Sequence, residues 1–163
     1  MKSKGLKETR ADTKKAIKGY TIGILFNPKF TRVLLILKAK PEWQKGKFNF
    51  PGGSFEDGET AIECVAREFK EETDMDIPTQ NWQHIGKIVN PDNYYVDVLT
   101  SIHYSELNGW PKDMTDEHLE WHDINDLPEN IISNLSWLIP FACNIWKQGN
   151  ADGLKFGTFE YAY

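Results

Sequence analysis

Three glutamates, Glu68, Glu71 and Glu72, fall at i, i+3 and i+4 in the stretch Gly53 to Met75, which reads G-S-F-E-D-G-E-T-A-I-E-C-V-A-R-E-F-K-E-E-T-D-M. On a helix, at about 100° per residue, the three carboxylates share one face. Like charges this close weaken a helix unless something positive sits between them. Mg²⁺ or Mn²⁺ answers that need, because hard cations take oxygen ligands and Mg²⁺ is commonly held by one or two carboxylates together with substrate phosphates. A solvated acidic face with Arg67 paired to Glu63 and Glu71 is the plainer alternative. It leaves unexplained the turn Phe50-Pro51-Gly52-Gly53, whose glycines let backbone approach a ligand closely, and the lone Glu59 ahead of the cluster.

The helix that carries these acids is itself legible. Thr60 followed by Glu63 forms a capping box, so the helix begins at or beside Thr60. Ile62, Val65, Ala66 and Phe69 then recur at three- and four-residue steps and give one apolar stripe for a core. Glu72 lies at the edge of that stripe and Glu71 furthest from it.

The whole stretch resembles the signature of the Nudix hydrolases, G-x5-E-x7-R-E-U-x-E-E-x-G-U with U apolar. Gly53, Glu59, Arg67, Glu68, Glu71 and Glu72 match, and Phe69 and Met75 fill apolar positions. Asp74 stands where the family has glycine. That site follows a helix C-terminus and calls for a left-handed residue, a conformation Asp tolerates, so a small stability cost and an intact site are expected. The resemblance implies that Glu68, Glu71 and Glu72 ligate Mg²⁺ (or Mn²⁺), that the Gly52 carbonyl completes a metal's shell, that Arg67 holds the carboxylates and that Glu59 orients the loop. It implies attack of a metal-activated water on a diphosphate link. In relatives a further carboxylate before a late strand assists the water; Glu117 is the first choice here, with Asp116 and Glu120 as alternatives. Lys38 and Lys40 sit where relatives place phosphate-contacting residues, although they also read as an ordinary charged strand end.

Size and composition frame this reading. At 163 residues with 40% hydrophobic and 13% aromatic residues, one domain with a substantial core is expected. Residues 1–18 form a basic arm with seven Lys or Arg against Glu8 and Asp12, a net of +5 in a chain of −5, so the body at 19–163 carries −10. Without interleaved aromatics the arm reads as a solvated tail, and no specific nucleic-acid partner is expected. No stretch approaches a membrane span and the Lys-rich start lacks an apolar segment after it, so a cytoplasmic protein without a membrane partner is expected. Cys64 and Cys143 have no partner motif and read as buried or neutral thiols.

The remaining elements must position the acidic helix. Gly19–Phe26 and Arg32–Ala39 read as paired strands around Asn27-Pro28-Lys29-Phe30. Trp82–Val89 and Tyr94–Tyr104 flank a turn at Asn90-Pro91-Asp92-Asn93, and Leu119–Ile124 is a further strand. A second helix is expected from Ser133 to Trp146, capped by Ser133 or Asn134 and kinked or restarted at Pro140, with a last strand in Leu154–Tyr161. Strands around two helices fit an α/β/α sandwich on a mixed sheet, the Nudix fold.

Substrate signals are thinner. Asn49, four residues before Gly53, resembles the base-pocket Asn of MutT-type nucleoside triphosphate hydrolases. The helix with Trp137 and Pro140 resembles that of oxidised-purine triphosphatases, except that Ser133 and Asn134 stand where those enzymes carry adjacent acids. The expected substrate is a (d)NTP, cleaved to (d)NMP and pyrophosphate. Pro91, sixteen residues past Met75, is a cue for ADP-ribose hydrolysing members, though a turn explains it fully. ADP-ribose or another dinucleotide or nucleotide sugar is therefore the alternative, and a non-catalytic nucleotide-binding module the second.

Overall fold

The computed structural model describes residues 17–91, 93–148 and, for the backbone, 157–160. Most of the basic arm lies outside the described residues; Lys18 already opens the first strand. The element order is β1 (Lys18–Phe26), β2 (Arg32–Leu37), β3 (Phe48–Asn49), α1 (Ala61–Thr73), β4 (Gln83–Asn90), β5 (Tyr94–Ile102), α2 (Ser105–Asn108), β6 (His118–Asp123), α3 (Leu135–Lys147) and β7 (Gly157–Glu160). The seven strands form one mixed sheet in the order β3-β2-β1-β5-β4-β7, with β6 also paired to β2. β1 with β5 and β4 with β7 are parallel; the other pairs are antiparallel.

Period-two alternation along β1 and β2 divides their side chains between two cores. Ile22, Ile24, Phe26, Val33 and Leu35 point to one face, where Leu135, Leu138, Ile139 and Ala142 of α3 cover them. Leu25, Leu34 and Ile36 point to the other, against Val65 and Phe69 of α1 with Met75, Ile77 and Trp82. This is the α/β/α sandwich expected from the sequence. Gly23 explains how closely α1 lies on β1, because a side chain there would collide with Phe69, Trp82 and Val65.

α1 starts as its sequence dictates. Glu63 N–H donates to Thr60 Oγ1 (3.3 Å) and Thr60 N–H to Glu63 Oε2 (2.8 Å), closing the capping box. It ends on Asp74 in the left-handed region (φ 58°), whose N–H donates to the Lys70 carbonyl.

Several expectations need correction. β2 ends at Leu37 rather than Ala39: Lys38 N–H still donates to the Lys47 carbonyl in register, but its own carbonyl accepts from Gly46 instead of Lys47, and the next amide, of Ala39, turns to the Glu117 carboxylate. β5 ends at Ile102 rather than Tyr104, where α2 begins to form; α2 is too short to leave a periodic signal. α3 runs unbroken through Pro140 rather than restarting there. Asn134, one of the two expected cap residues, does stand at the N-cap, but without a side-chain bond: its backbone is helical (φ −69°, ψ −18°), its carbonyl serves Leu138, and Ser136 Oγ donates to the Ser133 carbonyl. β3 was not expected either. Two residues carry no periodicity, yet Phe48 stands opposite Leu37 of β2 while its N–H and carbonyl bond to Asn130 and Ile132 on the other side, and the residues that follow, Ser133 and Asn134, line one cavity with Asn49. The two cysteines are free and buried, as the sequence suggested.

Candidate functional site

The loop from Pro51 to Ser54 is fixed before any ligand arrives. Gly23 N–H donates to the Pro51 carbonyl (2.9 Å) and Thr21 N–H to the Gly53 carbonyl (2.8 Å), so the loop is stitched to β1. Between these, Gly52 (φ 151°) passes so near the Thr21 carbonyl that no Cβ fits. Its N–H donates to Glu72 Oε2 (2.9 Å), and its own carbonyl accepts no bond among the described residues. A Cβ on Gly53 would run into the carboxylate of Glu68. The two glycines are thus the floor on which Glu72 and Glu68 rest.

Arg67 organises the outer part of the cluster. Its Nε donates to Glu59 Oε1 (2.6 Å) and its Nη2 to Glu59 Oε2 (3.0 Å) and the Ser54 carbonyl (2.9 Å). Nη1 reaches Glu68 Oε1 (3.0 Å) and Glu71 Oε1 (3.3 Å). Glu59 also accepts from Glu56 N–H (2.8 Å), which closes the loop onto the helix. The plainer pairing of Arg67 with Glu63 does not occur; Glu63 is committed to the capping box. The hydrogen bonds from Arg67 hold Glu59 down at about 2, and Glu59 in turn raises the guanidinium.

The inner part is built on Lys38. Its Nζ lies 2.6 Å from Glu117 Oε2 and 3.5 Å from Glu72 Oε1, while Glu117 Oε1 accepts from Ala39 N–H (2.9 Å). All three side chains are largely buried, at 13, 11 and 3% exposure for Lys38, Glu72 and Glu117. Burial pushes Glu72 up to about 7, against the pull of Lys38 and the Gly52 N–H, and raises Glu68 as well. Glu71 is 56% exposed and stands at the mouth. Of the three acids ahead of the late strand, Glu117 faces the cluster. Asp116 is exposed, and Glu120 lies on β6 with its carboxylate 3.3 Å from His122.

Beside this cluster opens a cavity of about 610 Å³. Lys38, Lys40, Asn49, Gly52, Ser133 and Asn134, picked out separately in the sequence, all line it. Asn49 Oδ1 accepts from Phe50 N–H (2.8 Å) and its Nδ2 donates to Gln44 (2.9 Å), while Asn134 Oδ1 is buried with no partner among the described residues. The sequence reading missed Tyr20, Trp43 and Gln44, which share the wall. Trp43 is 62% exposed, and an aromatic in the polar loop after Pro41 was the available signal. A second cavity, of about 560 Å³ around His103, Trp110 and Trp121, holds none of the expected residues.

The donor set suits a hard divalent cation, since every available ligand is oxygen: three carboxylates and a carbonyl left over between two that are used. As they stand, though, no three Asp, Glu, His or Cys side chains among the described residues converge as a ready-made ion cage. Arg67 and Lys38 hold the carboxylates on separate cations.

A model described as the NUDIX domain matches residues 18–139. The chain belongs to the Nudix family, and it is a hydrolase of the class that acts on pyrophosphate bonds. It is 27% identical over 134 residues to the uncharacterized Nudix hydrolase YvcI of Bacillus subtilis (strain 168), covering 80% of this chain and 79% of that one. Among solved structures it is similar in fold to the MutT protein of Bacillus halodurans (TM-score 0.63, 23% identity, 90% of this chain and 91% of that one). It is also similar to a bifunctional NMN adenylyltransferase/ADP ribose pyrophosphatase of Francisella tularensis (TM-score 0.61, 15% identity, 80% of this chain and 42% of that one). Among the described residues no helix is long and apolar enough to cross a membrane.

Proposed function

We propose that the protein hydrolyses a nucleoside triphosphate, as a MutT-like enzyme, to the nucleoside monophosphate and pyrophosphate, with Mg²⁺ or Mn²⁺ held by Glu68, Glu71, Glu72 and the Gly52 carbonyl. The observation that carries this reading is that one cavity joins Lys38 and Lys40 to Asn49, Ser133 and Asn134, and also takes in Gly52, whose N–H holds Glu72. A triphosphate needs cations beside the carboxylates and a base needs donors and acceptors a short way off, and both are present on one wall. When bound, the divalent ion supplies charge neutralisation at the departing phosphate and a water of lowered pKa.

The residues of the chain supply the rest. Arg67, anchored by Glu59 and Ser54, fixes the heading of Glu68 and Glu71. Gly52 N–H fixes Glu72. Glu117 Oε2, once free of Lys38, takes the proton of the attacking water, and Lys40 holds phosphate oxygens. Asn49 is locked by Gln44 and Phe50, so it meets a base as a rigid group. Asn134 Oδ1 has no partner among the described residues, and the N–H of a base edge provides one.

ADP-ribose is the second reading. Its sequence cue was Pro91, which sits in the β4–β5 turn and does not line the cavity. The deciding assay is a panel of purine and pyrimidine triphosphates and ADP-ribose with Mg²⁺, scored by pyrophosphate or monophosphate release, and repeated in excess EDTA. Pyrophosphate release from a triphosphate as the best reaction is expected. ADP-ribose as best substrate overturns the triphosphatase reading, and full activity in EDTA overturns the metal assignment.

A further inference from the structure

The two cations of the carboxylate cluster are not tethered alike. Arg67 is held from three sides, by two bonds to Glu59, one to the Ser54 carbonyl and its contacts with Glu68 and Glu71. Losing the two helix carboxylates to another cation leaves its fork seated. Lys38 has no such reserve. Among the described residues its ammonium meets only Glu117 and Glu72. A divalent ion that takes Glu72 removes part of that pairing, and a buried ammonium short of counter-charge is costly to keep in place. Its stem has four rotatable carbons, and the same side chain already lines the cavity beside Lys40 and Gly52.

We propose that Lys38 is an internal counter-cation that links occupation of the carboxylate cluster to phosphate capture. Its ammonium sits between Glu72 and Glu117 until a divalent ion takes up Glu72, and it is then released into the cavity, where a phosphate oxygen of the substrate receives it. The same movement frees Glu117 Oε2 only when the metal is present, so the proton acceptor is unmasked together with the water it serves. This exchange also accounts for why the carboxylates do not converge as an ion cage by themselves. It rests on the metal reading given above. Because cation and phosphate act on one side chain, each promotes binding of the other.

The test reads Lys38 itself. The full chain is treated with an amine-reactive acylating reagent and modification is quantified by mass spectrometry, with exposed Lys40 as internal reference. Lys38 is expected to label slowly without metal, at least about tenfold faster with Mg²⁺ alone, and slowly again with Mg²⁺ and inorganic pyrophosphate, while Lys40 labels readily without pyrophosphate, with or without Mg²⁺. In parallel, Mn²⁺ affinity without substrate is measured from the free-ion electron paramagnetic resonance signal. Lys38→Met is expected to bind Mn²⁺ about five- to a hundredfold more tightly than wild type, because the ion no longer has to displace a charge. Mg²⁺ that binds without changing Lys38 labelling, or weaker Mn²⁺ binding in Lys38→Met, overturns the exchange. Mn²⁺ binding that survives undiminished in Glu72→Gln overturns the metal assignment instead, so the two failures are distinguishable.

Discussion

Replacing Glu72 by glutamine removes a buried charge but keeps an oxygen for the Gly52 N–H, and the two consequences run in opposite directions. In the metal-free protein Glu72 is raised from 4.5 to about 7, chiefly by burial. A carboxyl whose folded pKa lies above its unfolded one binds its proton more tightly when folded. Its stabilising contribution is therefore full below 4.5 and is lost as pH rises through the window to about 7. The span corresponds to roughly 3 kcal/mol lost at pH 8. The 11% exposure of the side chain makes screening by water small, while relaxation of Lys38 and Glu117 reduces the figure. Metal-free Glu72→Gln is thus expected to be more stable than wild type at pH 8 by about 1–3 kcal/mol, and to show a flatter stability profile between pH 5 and 8. Its kcat is expected to fall by at least ~10³, since charge stabilisation at the metal supplies several kcal/mol of barrier reduction. Urea melts in EDTA at several pH values, with turnover measured in Mg²⁺, check both. A variant that is less stable than wild type at pH 8 refutes the desolvation argument, and one with unchanged turnover refutes the metal role.

Gly53→Ala puts a methyl group against the Glu68 carboxylate in a backbone conformation alanine accepts, so kcat is expected to drop at least about tenfold with little change in urea midpoint; a collapse of stability with normal specific activity contradicts this. Asp74→Gly relieves a left-handed residue, an expected gain of ~0.5–1 kcal/mol from sequence alone. The structure adds that Asp74 binds Lys70 and Lys112, both at 2.9 Å on the surface, which offsets part of the gain; a thermal melt within about 0.5 kcal/mol of wild type is expected, and a clear loss means those pairs outweigh the backbone. Asn49→Ala is expected to raise KM for the preferred triphosphate about ten- to a hundredfold, corresponding to roughly 1–3 kcal/mol for a base group left unpaired. A uniform loss over all substrates with a lower melting temperature shows that its bonds to Gln44 and Phe50 are its whole role.

The acidic helix was readable in full because its instructions are local. The capping box, the apolar stripe and the left-handed end at Asp74 are all written between Thr60 and Asp74, and the two ends are short-range effects of side chains on nearby backbone. The long strands were readable for the same reason, to within a residue or two at their ends. β3 was not, because a two-residue strand carries no period and its partner on one side, Ile131, lies far away in the chain. Asn134 does stand at the N-cap of α3, but without the side-chain bond by which a cap residue is usually recognised. The assembly of Lys38, Glu72 and Glu117 was out of reach for sequence reasoning: residues 38 and 117 are adjacent only because β2 and β6 pair, and nothing in either segment specifies that register. Lys38 and Glu117 were each singled out, but as a phosphate contact and a water base, not as partners.

The alternation of β1 and β2 between two cores has an evolutionary consequence. Under the proposed function, bond cleavage is staffed mainly from the layer of α1, while the base is read by residues 133–134 at the start of α3 and by the loop at 43–49. Changes of preference for the base can accumulate around the second group without repacking Val65, Phe69 or the capping box that keep the carboxylates in register. A lineage with this architecture can explore new substrates while its reactive machinery is held constant, and libraries confined to positions 43, 44, 49, 133 and 134 are the place to redirect it.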